Sequence, residues 1–492
     1  MVEEKRANGL TRRTLVRVGA GTALTASLPW RALAQSVPPG PGPNFNPAAK
    51  YAVVDRMTYG QNEQERKLFD NLGWDAYVDY HLNPNAIDDT YCDNRMIEYE
   101  ALKMTPKQVK SSYSGSSYDA VSEVIEAQIV RARYSNRQLL EMMVEFWSDH
   151  FNVFAYGEQW WETFPSHMAT IRKYALSNFP TLLAQMARSG AMLGYLDNVD
   201  NRITGGNENY AREILELHTM GADNGYTETD METVRKCLTG WNINYDDKDS
   251  NWAMFKFYGE MHARGGGMFL GELIDRGGQE QGDTILMKLA AHPSTASHIA
   301  EKLCRRFLGD DVKPATVDKV AKIYLSSGGD VKAMLKACLK SGKFIPLAST
   351  KYKRPFKYLM SAIRATNGQI TEGWALRWGY LTQMRQVPFE WAPPNGYPDH
   401  IAAWVDNIRP RWQFAQDMVM ANAWGVYCDI FGQLNDRTRA GVVNYCDRAF
   451  FGASLPNPRK DLLGQYVPQH LSNSQIREVI GRALSMPECQ YC

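Results

Sequence analysis

One segment of the sequence, residues 207–221, combines acidic, basic and imidazole side chains between the caps of a single predicted helix. At 100° per residue, Glu213 and Glu216 lie within about 40° of Asn209, and Arg212 lies about 60° away. Carboxylates on one face can share acid–base catalysis when burial keeps one protonated and the other stays ionised. We therefore predict Glu213 and Glu216 as acid and base candidates, with Arg212 beside them.

The same side chains have a simpler interpretation. Glu208 and Arg212 are four residues apart, as are Arg212 and Glu216, which is the spacing of ion pairs on a solvated helix face. This interpretation accounts well for Glu208 and Arg212. It leaves Glu213 without an obvious compensating charge, so the sequence keeps both possibilities open.

Further carboxylates occur among aromatic residues. Asp149 lies in an aromatic stretch, and Glu158 and Glu162 flank Trp160-Trp161. Aromatic rings stack on sugar faces, and paired carboxylates hydrolyse glycosidic bonds. We therefore add Asp149 to the catalytic candidates and expect a carbohydrate or cell-envelope polymer as the substrate.

Two histidines lie on apolar helix faces, where an imidazole needs a partner. His218 is on the apolar stripe of the 207–221 helix, and His150 is on that of a helix predicted over 135–151. With His262 from a glycine-rich segment, they could converge on zinc, iron or copper, as inward ligands do in helix bundles. The alternative is that each is a core histidine bonded to a carbonyl or a carboxylate.

The histidine and the carboxylates of the 207–221 helix point in opposite directions. His218 lies about 180° from Asn209. It cannot share a site with Glu213 and Glu216 unless the end of the helix deforms. Any site is therefore expected to include side chains from other helices.

Apolar periodicity predicts a mainly α fold. We expect one large α-helical domain over 49–492, with no second linker and no strong internal repeat. Besides the helices named above, the pattern predicts helices at 283–291, 294–307, 315–327, 330–340, 353–366, 411–424, 435–447 and 474–485.

Local signals predict how some elements begin and turn. Residues 135–138 have the sequence of a capping box, and a second helix is predicted to start at 227–230 and to end at Gly240. Alternating residues 255–258 and a turn at Gly265-Gly266-Gly267 predict at most a small β-hairpin within 252–273.

The N-terminus predicts export from the cytoplasm. Residues 11–17 form a twin-arginine pattern, a weakly apolar run follows at 18–28, and small residues at 32–34 provide a cleavage site. We assign residues 1–34 to a twin-arginine signal peptide and 35–48 to a proline- and glycine-rich linker. The mature protein is then expected in the periplasm or secreted.

Charge and hydropathy exclude two classes of partner. Removing the six basic and two acidic residues of 1–34 changes the net charge from +1 to about −3, which gives no basic footprint for nucleic acid. No later apolar stretch approaches the roughly 18 residues of a membrane span, so no transmembrane anchor is expected. The eight cysteines permit disulfides in an oxidising compartment; for Cys489 and Cys492, a terminal disulfide and free thiols are both open.

Several short segments occur in the order typical of one bacterial family. The chain resembles the exported proteins catalogued as domain of unknown function 1800 (DUF1800), although this chain has Ser148 where members often have a second histidine, and His262-Ala263 where they often have His-Asp. That family carries no assigned activity. The segments are Arg56-Met57-Thr58-Tyr59-Gly60-Gln61, Phe146-Trp147-Ser148-Asp149-His150-Phe151, Asn207-Glu208-Asn209-Tyr210-Ala211-Arg212-Glu213, Gly225-Tyr226-Thr227, Leu238-Thr239-Gly240-Trp241, His292-Pro293-Ser294-Thr295-Ala296, Lys353-Arg354-Pro355 and Pro393-Pro394-Asn395-Gly396.

The residues favour one function and leave two alternatives. The leading hypothesis is an exported hydrolase that acts on a carbohydrate or envelope polymer through carboxylate acid–base groups, with a histidine-bound transition metal as a possible cofactor. The second is a metal-dependent periplasmic oxidoreductase. The third is a non-catalytic partner of another exported protein in surface-polysaccharide assembly, in which the buried polar groups form structural networks.

Overall fold

The structure is a computed structural model, and it describes residues 50–113, 116–157, 160–275, 277–342, 351–465 and 467–492. These residues belong to one compact unit. The predicted signal peptide and linker lie outside the described residues, as does Glu158.

The fold is mainly α, as the sequence predicts. The described residues contain 21 α-helices, and two of the chain's turns are π-helical, Ile214–His218 and Arg377–Leu381. The α-helices, α1 to α21 in chain order, are Ala52–Met57, Glu63–His81, Thr90–Arg95, Pro106–Ser112, Ser117–Tyr134, Gln138–His150, Phe164–Tyr174, Phe179–Met186, Gly190–Tyr195, Asn209–Glu213, Glu228–Cys237, Glu280–Ala291, Pro293–Phe307, Pro314–Ser327, Val331–Gly342, Pro355–Ala365, Gly373–Leu376, Ile408–Val419, Arg439–Phe451, Asn457–Gly464 and Asn473–Ser485.

The strands are short and pair differently from the predicted hairpin. In the described chain they form three antiparallel pairs: β1 (Trp241–Ile243) with β2 (Phe255–Phe257), β3 (Gly267–Phe269) with β4 (Glu272–Ile274), and β5 (Gln369–Ile370) with β6 (Val426–Tyr427). The alternating residues 255–257 thus pair with β1, a strand that precedes them in the chain and lies outside 252–273. Gly267 lies in a strand, and the turn falls at Leu270-Gly271, where both residues have positive φ.

One predicted cap forms and the other does not. Thr227 and Asp230 make a complete capping box at the start of α11. The box predicted over 135–138 does not form, because the side-chain oxygen of Gln138 instead accepts a hydrogen bond from the Tyr59 amide (3.0 Å). The Ser135 hydroxyl donates to Asp89 (2.7 Å), so α6 begins only at Gln138.

Helix α6 is the centre of the fold. Nearly all of its residues are buried, including Trp147 and His150, and it contacts α1, α2, α5 and α7. Full burial of a large apolar side chain stabilises a fold by about 1.5–3 kcal/mol, and a helix that is covered on every side cannot move independently. Polar side chains on α6 are therefore held in fixed positions inside the protein.

Two expectations from the sequence, on membrane spans and on disulfides, can be compared with the structure. Within the part of the chain that is described, no helix combines the length and the hydropathy of a membrane span. All eight cysteines are buried and none is disulfide-bonded. Of the alternatives for Cys489 and Cys492, the structure has the free thiols.

Candidate functional site

The acidic segment forms an α-helix that widens into a π-helical turn. Asn207 accepts a hydrogen bond from the Asn209 amide (3.0 Å), and α10 continues directly into the turn Ile214–His218. The Thr219 hydroxyl donates to the Ile214 carbonyl (2.6 Å), a bond that spans the widened turn. Turns of this kind are rare and often lie at functional sites. The helix end therefore does deform, as a shared site would require.

Glu213 is the chemically distinctive side chain of this helix. It is half-buried, and no hydrogen bond or ion pair reaches its carboxyl from the described residues. Burial raises its pKa from 4.5 to about 7, with a smaller contribution from Glu216, and Arg212 opposes the shift. Near neutral pH, this carboxyl can therefore both give and accept a proton.

Glu216 and Arg212 are tied to each other and to neighbours. The Arg212 guanidinium lies 3.4 Å from Glu216 and 3.1 Å from Glu208, and it also reaches Glu228 at 3.6 Å. The Tyr226 hydroxyl is hydrogen-bonded to Glu216. The ion-pair interpretation of the sequence thus holds for Arg212, whereas it leaves Glu213 out.

His150 and His218 form a reciprocal clasp between α6 and the π-helical turn. The Nε2–H of His150 donates to the His218 carbonyl (3.0 Å), and the Nδ1–H of His218 donates to the His150 carbonyl (2.7 Å). The two rings lie 5.7 Å apart, and both side chains are buried. Burial lowers the pKa of His218 to about 3 and that of His150 well below its ordinary value. Both are therefore neutral at physiological pH.

Two residues of α13 extend this cluster. Lys302 donates to the Nδ1 of His150 (2.9 Å), and His298 donates to the Leu217 carbonyl (3.2 Å). Burial lowers the pKa of Lys302 to about 8 and that of His298 to about 4. Since both ring nitrogens of His150 are now occupied, neither has a free lone pair for a metal.

His262 lies in a different environment. Its Nδ1 is bonded to Thr239 (2.7 Å to the carbonyl), and its Nε2 is bonded to the side chain of Gln281 (2.8 Å). No group of three or more histidine, cysteine or carboxylate side chains among the described residues could hold a metal ion. The predicted three-histidine arrangement is not assembled there, because backbone carbonyls and an amide take up the ring nitrogens.

Asp149 belongs to a buried ion network and lies apart from Glu213. Arg354 at the start of α16 bonds Asp149 (2.6 Å) and Glu145 (2.5 Å), and Arg306 of α13 bonds Asp149 (3.0 Å) and Asp399 (2.8 Å). Burial raises the pKa of Asp149, and the two guanidinium groups oppose the rise. Both arginines bond to the same oxygen, Oδ2 of Asp149, so this carboxylate joins α6 to α13 and to the start of α16.

The spacing of polar residues in the sequence carries a signal for this interior network, one that the predicted site did not include. Arg306, Lys302 and His298 are spaced by four residues in α13, so they share one face of that helix. A polar row at this spacing beside the apolar face of a helix is consistent with buried partners, because buried polar groups need them. On α6, Glu145 and Asp149 are likewise four residues apart and so share one helix face.

The structure therefore separates the carboxylates from the histidines. The charges that act on Glu213 are those of Glu216 and Arg212, whereas those that act on His218 are Lys302 and other histidines. The predicted opposition of the two faces thus survives the widened turn. Acid–base capacity lies on one side of the helix, and a neutral imidazole clasp lies on the other.

Comparisons with known proteins identify a family. Residues 52–491 match the family model described as “Protein of unknown function (DUF1800)”. No curated protein and no solved structure matches the chain. The matched range includes every segment on which the sequence resemblance rests, so that prediction is confirmed.

Proposed function

The chain belongs to the family described as DUF1800, whose description assigns no activity, and we propose from its site geometry that it is an exported hydrolase of a carbohydrate or cell-envelope polymer. In this proposal, Glu213 is the general acid and Glu216 is the general base. Arg212 positions Glu216 through their ion pair.

The observation that carries the proposal is the state of Glu213. A half-buried carboxyl that has no partner among the described residues and a pKa of about 7 costs folding energy, because a solvated or paired carboxylate would be more stable. A general acid works best when its pKa lies near the pH at which the enzyme operates. The neighbouring π-helical turn is a second mark of a functional segment.

The two carboxyls divide the chemistry of hydrolysis. Glu213 donates its proton to the leaving oxygen as the bond from carbon to that oxygen breaks. Glu216 accepts a proton from the water whose oxygen forms the new bond to carbon. The tethers from Arg212 and Tyr226 keep Glu216 oriented for this role.

The histidines have structural roles in this proposal. All but one of the ring nitrogens of His150, His218 and His262 bond to protein groups. The exception is Nε2 of His218, which has no partner among the described residues. A transition-metal site would need these nitrogens as ligands, so the proposal routes no step through one.

Turnover of envelope polysaccharides tests the proposal. Release of new reducing ends from a panel of such polymers is measured for the wild-type chain, Glu213→Gln and Glu208→Gln. Loss of a general acid lowers the rate by about 10²–10⁴-fold, whereas the exposed Glu208 on the same helix should be dispensable. The wild-type rate should also fall as pH rises through about 7, because Glu213 must be protonated. An unchanged rate for Glu213→Gln would refute the assignment.

Export is tested separately. Replacing Arg12 and Arg13 by lysine in the full chain should leave the protein in the cytoplasmic fraction, because the twin-arginine pair is the recognised feature of the signal. The same chain with Arg17→Lys is the control and should be exported. Export of the double variant at the wild-type level would contradict this part of the proposal.

A further inference from the structure

Four large aromatic side chains form an exposed cluster, here called the ring surface. They are Tyr118 of α5, Trp374 of α17, Trp378 of the second π-helical turn, and Trp424, which follows α18. Each is 41–51% exposed. Single exposed aromatic residues are common, but a contiguous group of this size normally marks a binding surface.

The four rings are in contact as two pairs. The indole N–H of Trp378 donates to the Tyr118 hydroxyl (2.9 Å), and their ring planes differ by only 13°. Trp374 and Trp424 meet edge to face, with ring centroids 4.9 Å apart. Trp374 and Trp378 are four residues apart on continuous helical turns, so the two pairs adjoin on one face.

The buried side chain of Arg377 packs against two of the four rings, those of Tyr118 and Trp378. The Arg377 guanidinium lies 4.6 Å from the Trp378 ring and 5.4 Å from the Tyr118 ring, which are cation–π distances. It pairs with Glu390 at 2.5 Å and donates to Ser122 at 3.1 Å, so its charge is neutralised within the protein. Tyr118 and Trp378 are therefore ordered before any ligand arrives, which reduces the entropy that binding must overcome.

The charged groups bordering the rings narrow the chemistry of the partner. Glu126 lies against Gly373, at the start of α17, and Glu372 is exposed next to it. These carboxylates repel anionic lipid headgroups, nucleic acids and acidic glycans. They can accept hydrogen bonds from sugar hydroxyls, while the negative ring faces attract the C–H faces of a sugar.

We infer that the ring surface binds a neutral polysaccharide chain. Sugar rings stack on the near-parallel pair Tyr118–Trp378 and on the exposed indole faces of Trp374 and Trp424, and their hydroxyls bond to Glu126 and Glu372. The inference rests on the proposed function for its substrate class, and it adds a second contact that holds the polymer. It assigns the polymer's neutral segments to this surface.

Binding is tested without turnover. The full chain with Glu213→Gln is titrated with a soluble neutral β-glucan, with a galactomannan and with anionic phospholipid vesicles. Trp378→Ala and Trp374→Ala are each expected to raise the Kd for a neutral polysaccharide about 10-fold, which equals the loss of one stacked ring. Trp378→Phe keeps a ring and should lose less. The matched control is Trp412→Ala, since Trp412 is 47% exposed but bonds to Ser485 in α21.

The outcomes separate this inference from the proposed function. Absence of binding to both polysaccharides, tighter binding to the vesicles, or a dimer that dissociates in Trp378→Ala would each overturn the ring-surface inference. An equal loss in Trp412→Ala would do the same. Wild-type chain that binds polysaccharide but does not cleave it would overturn only the proposed hydrolysis. Cleavage of long polymer that is unaffected by Trp378→Ala would overturn only the ring-surface inference.

Discussion

Two glutamates of one helix turn differ in chemistry because they differ in partners. Glu216 has a guanidinium and a phenol within reach, whereas no hydrogen bond or ion pair from the described residues reaches Glu213, which is also withdrawn from water. Desolvation without compensation favours the neutral carboxylic acid. A pair with one held base and one poised acid is the division of labour that hydrolysis requires.

At the level of a single residue, Glu213 should lower the free energy of unfolding as pH rises from about 4.5 to about 7. Its pKa is about 7 in the folded chain and 4.5 in the unfolded chain, so its contribution is complete below pH 4.5 and lost as pH rises through 7. The full shift corresponds to about 3 kcal/mol, and partial exposure reduces this to about 1–3 kcal/mol. Glu213→Gln should therefore match the wild type near pH 4 and exceed its stability by that amount at pH 8.

Urea unfolding at the two pH values measures this difference. Glu208→Gln serves as the control, because Glu208 is exposed on the same helix. A difference between Glu213→Gln and wild type that is the same at both pH values would contradict the poised acid.

The sequence predicted which side chains share a helix face better than it predicted which groups they bond to. Helical angles placed Glu213 and Glu216 together and His218 on the far side; in the structure Glu216 and Arg212 act on Glu213, whereas Lys302 acts on His218. The partners of His150 and His218 are backbone carbonyls, which every residue carries and which no sequence pattern distinguishes. The clasp between them therefore could not be predicted.

At the scale of elements, buried charges join α6 to two other helices. Arg354 pairs with both Glu145 and Asp149 of α6; Arg354 and Glu145 are buried, and the Asp149 side chain is only 14% exposed. Arg354→Met would leave buried carboxylates short of positive charge, and we expect a loss of about 3–5 kcal/mol in the free energy of unfolding. Arg212→Met, which breaks only half-exposed pairs, should cost about 0–1 kcal/mol. Similar losses for the two variants in urea unfolding would contradict this account.

The π-helical turn makes its own prediction. The Thr219 hydroxyl is buried and bonds the Ile214 carbonyl across the turn at 2.6 Å. Thr219→Val keeps the shape but removes this bond, so stability should fall by about 1 kcal/mol. Thr219→Ser keeps the hydroxyl and controls for it, apart from the cost of one methyl group. If valine is tolerated better than serine, the hydroxyl does not hold the turn.

Helices were easier to predict than their ends or the strands. The periodic segments 294–307 and 474–485 lie within one residue of α13 and α21, because their apolar faces are continuous. The predicted helix 435–447 begins four residues before α19, since Thr438 rather than an earlier residue caps it. A short hairpin does form at the end of the predicted range, from β3 and β4, but β2 pairs with β1 outside that range, because strand pairing depends on tertiary contacts.

At the scale of the whole molecule, buried neutral histidines should govern acid stability. Burial lowers the pKa of His167 and His218 to about 3 and that of His298 to about 4, and it lowers that of His150 as well. The unfolded chain takes up these protons near pH 6.5, so the stability that neutral histidines provide is present above pH 6.5 and lost as pH falls below it.

The expected slope is about 1.4 kcal/mol per pH unit for each such histidine. Glu213 acts in the opposite direction, as do other carboxyls whose pKa burial raises, such as Glu126 and Glu390, so the net slope is smaller than the sum over the histidines. Urea unfolding between pH 4.5 and 6.5 should show a slope that His218→Phe reduces by one proton and that the exposed-site variant His470→Gln leaves unchanged. A wild-type stability that is flat over this range would contradict the neutral cluster.

The whole-molecule predictions that succeeded rest on features spread along the chain. Composition and periodicity predicted a mainly α fold, and ordered motifs predicted the family. The location of chemistry could not be predicted in the same way, because it depends on which polar groups remain unpaired after packing. Glu213 shows this most clearly: that no hydrogen bond or ion pair from the described residues reaches it is visible only in three dimensions.

Carbon-13 NMR titration of the glutamate carboxyl groups, comparing the wild-type chain with Glu213→Gln, measures the protonation of Glu213 itself. The resonance that disappears in the variant identifies Glu213, and its titration reports the pKa without any substrate. We expect a midpoint of about 7. A midpoint near the ordinary value of 4.5 would contradict the poised acid and, with it, the proposed catalytic role.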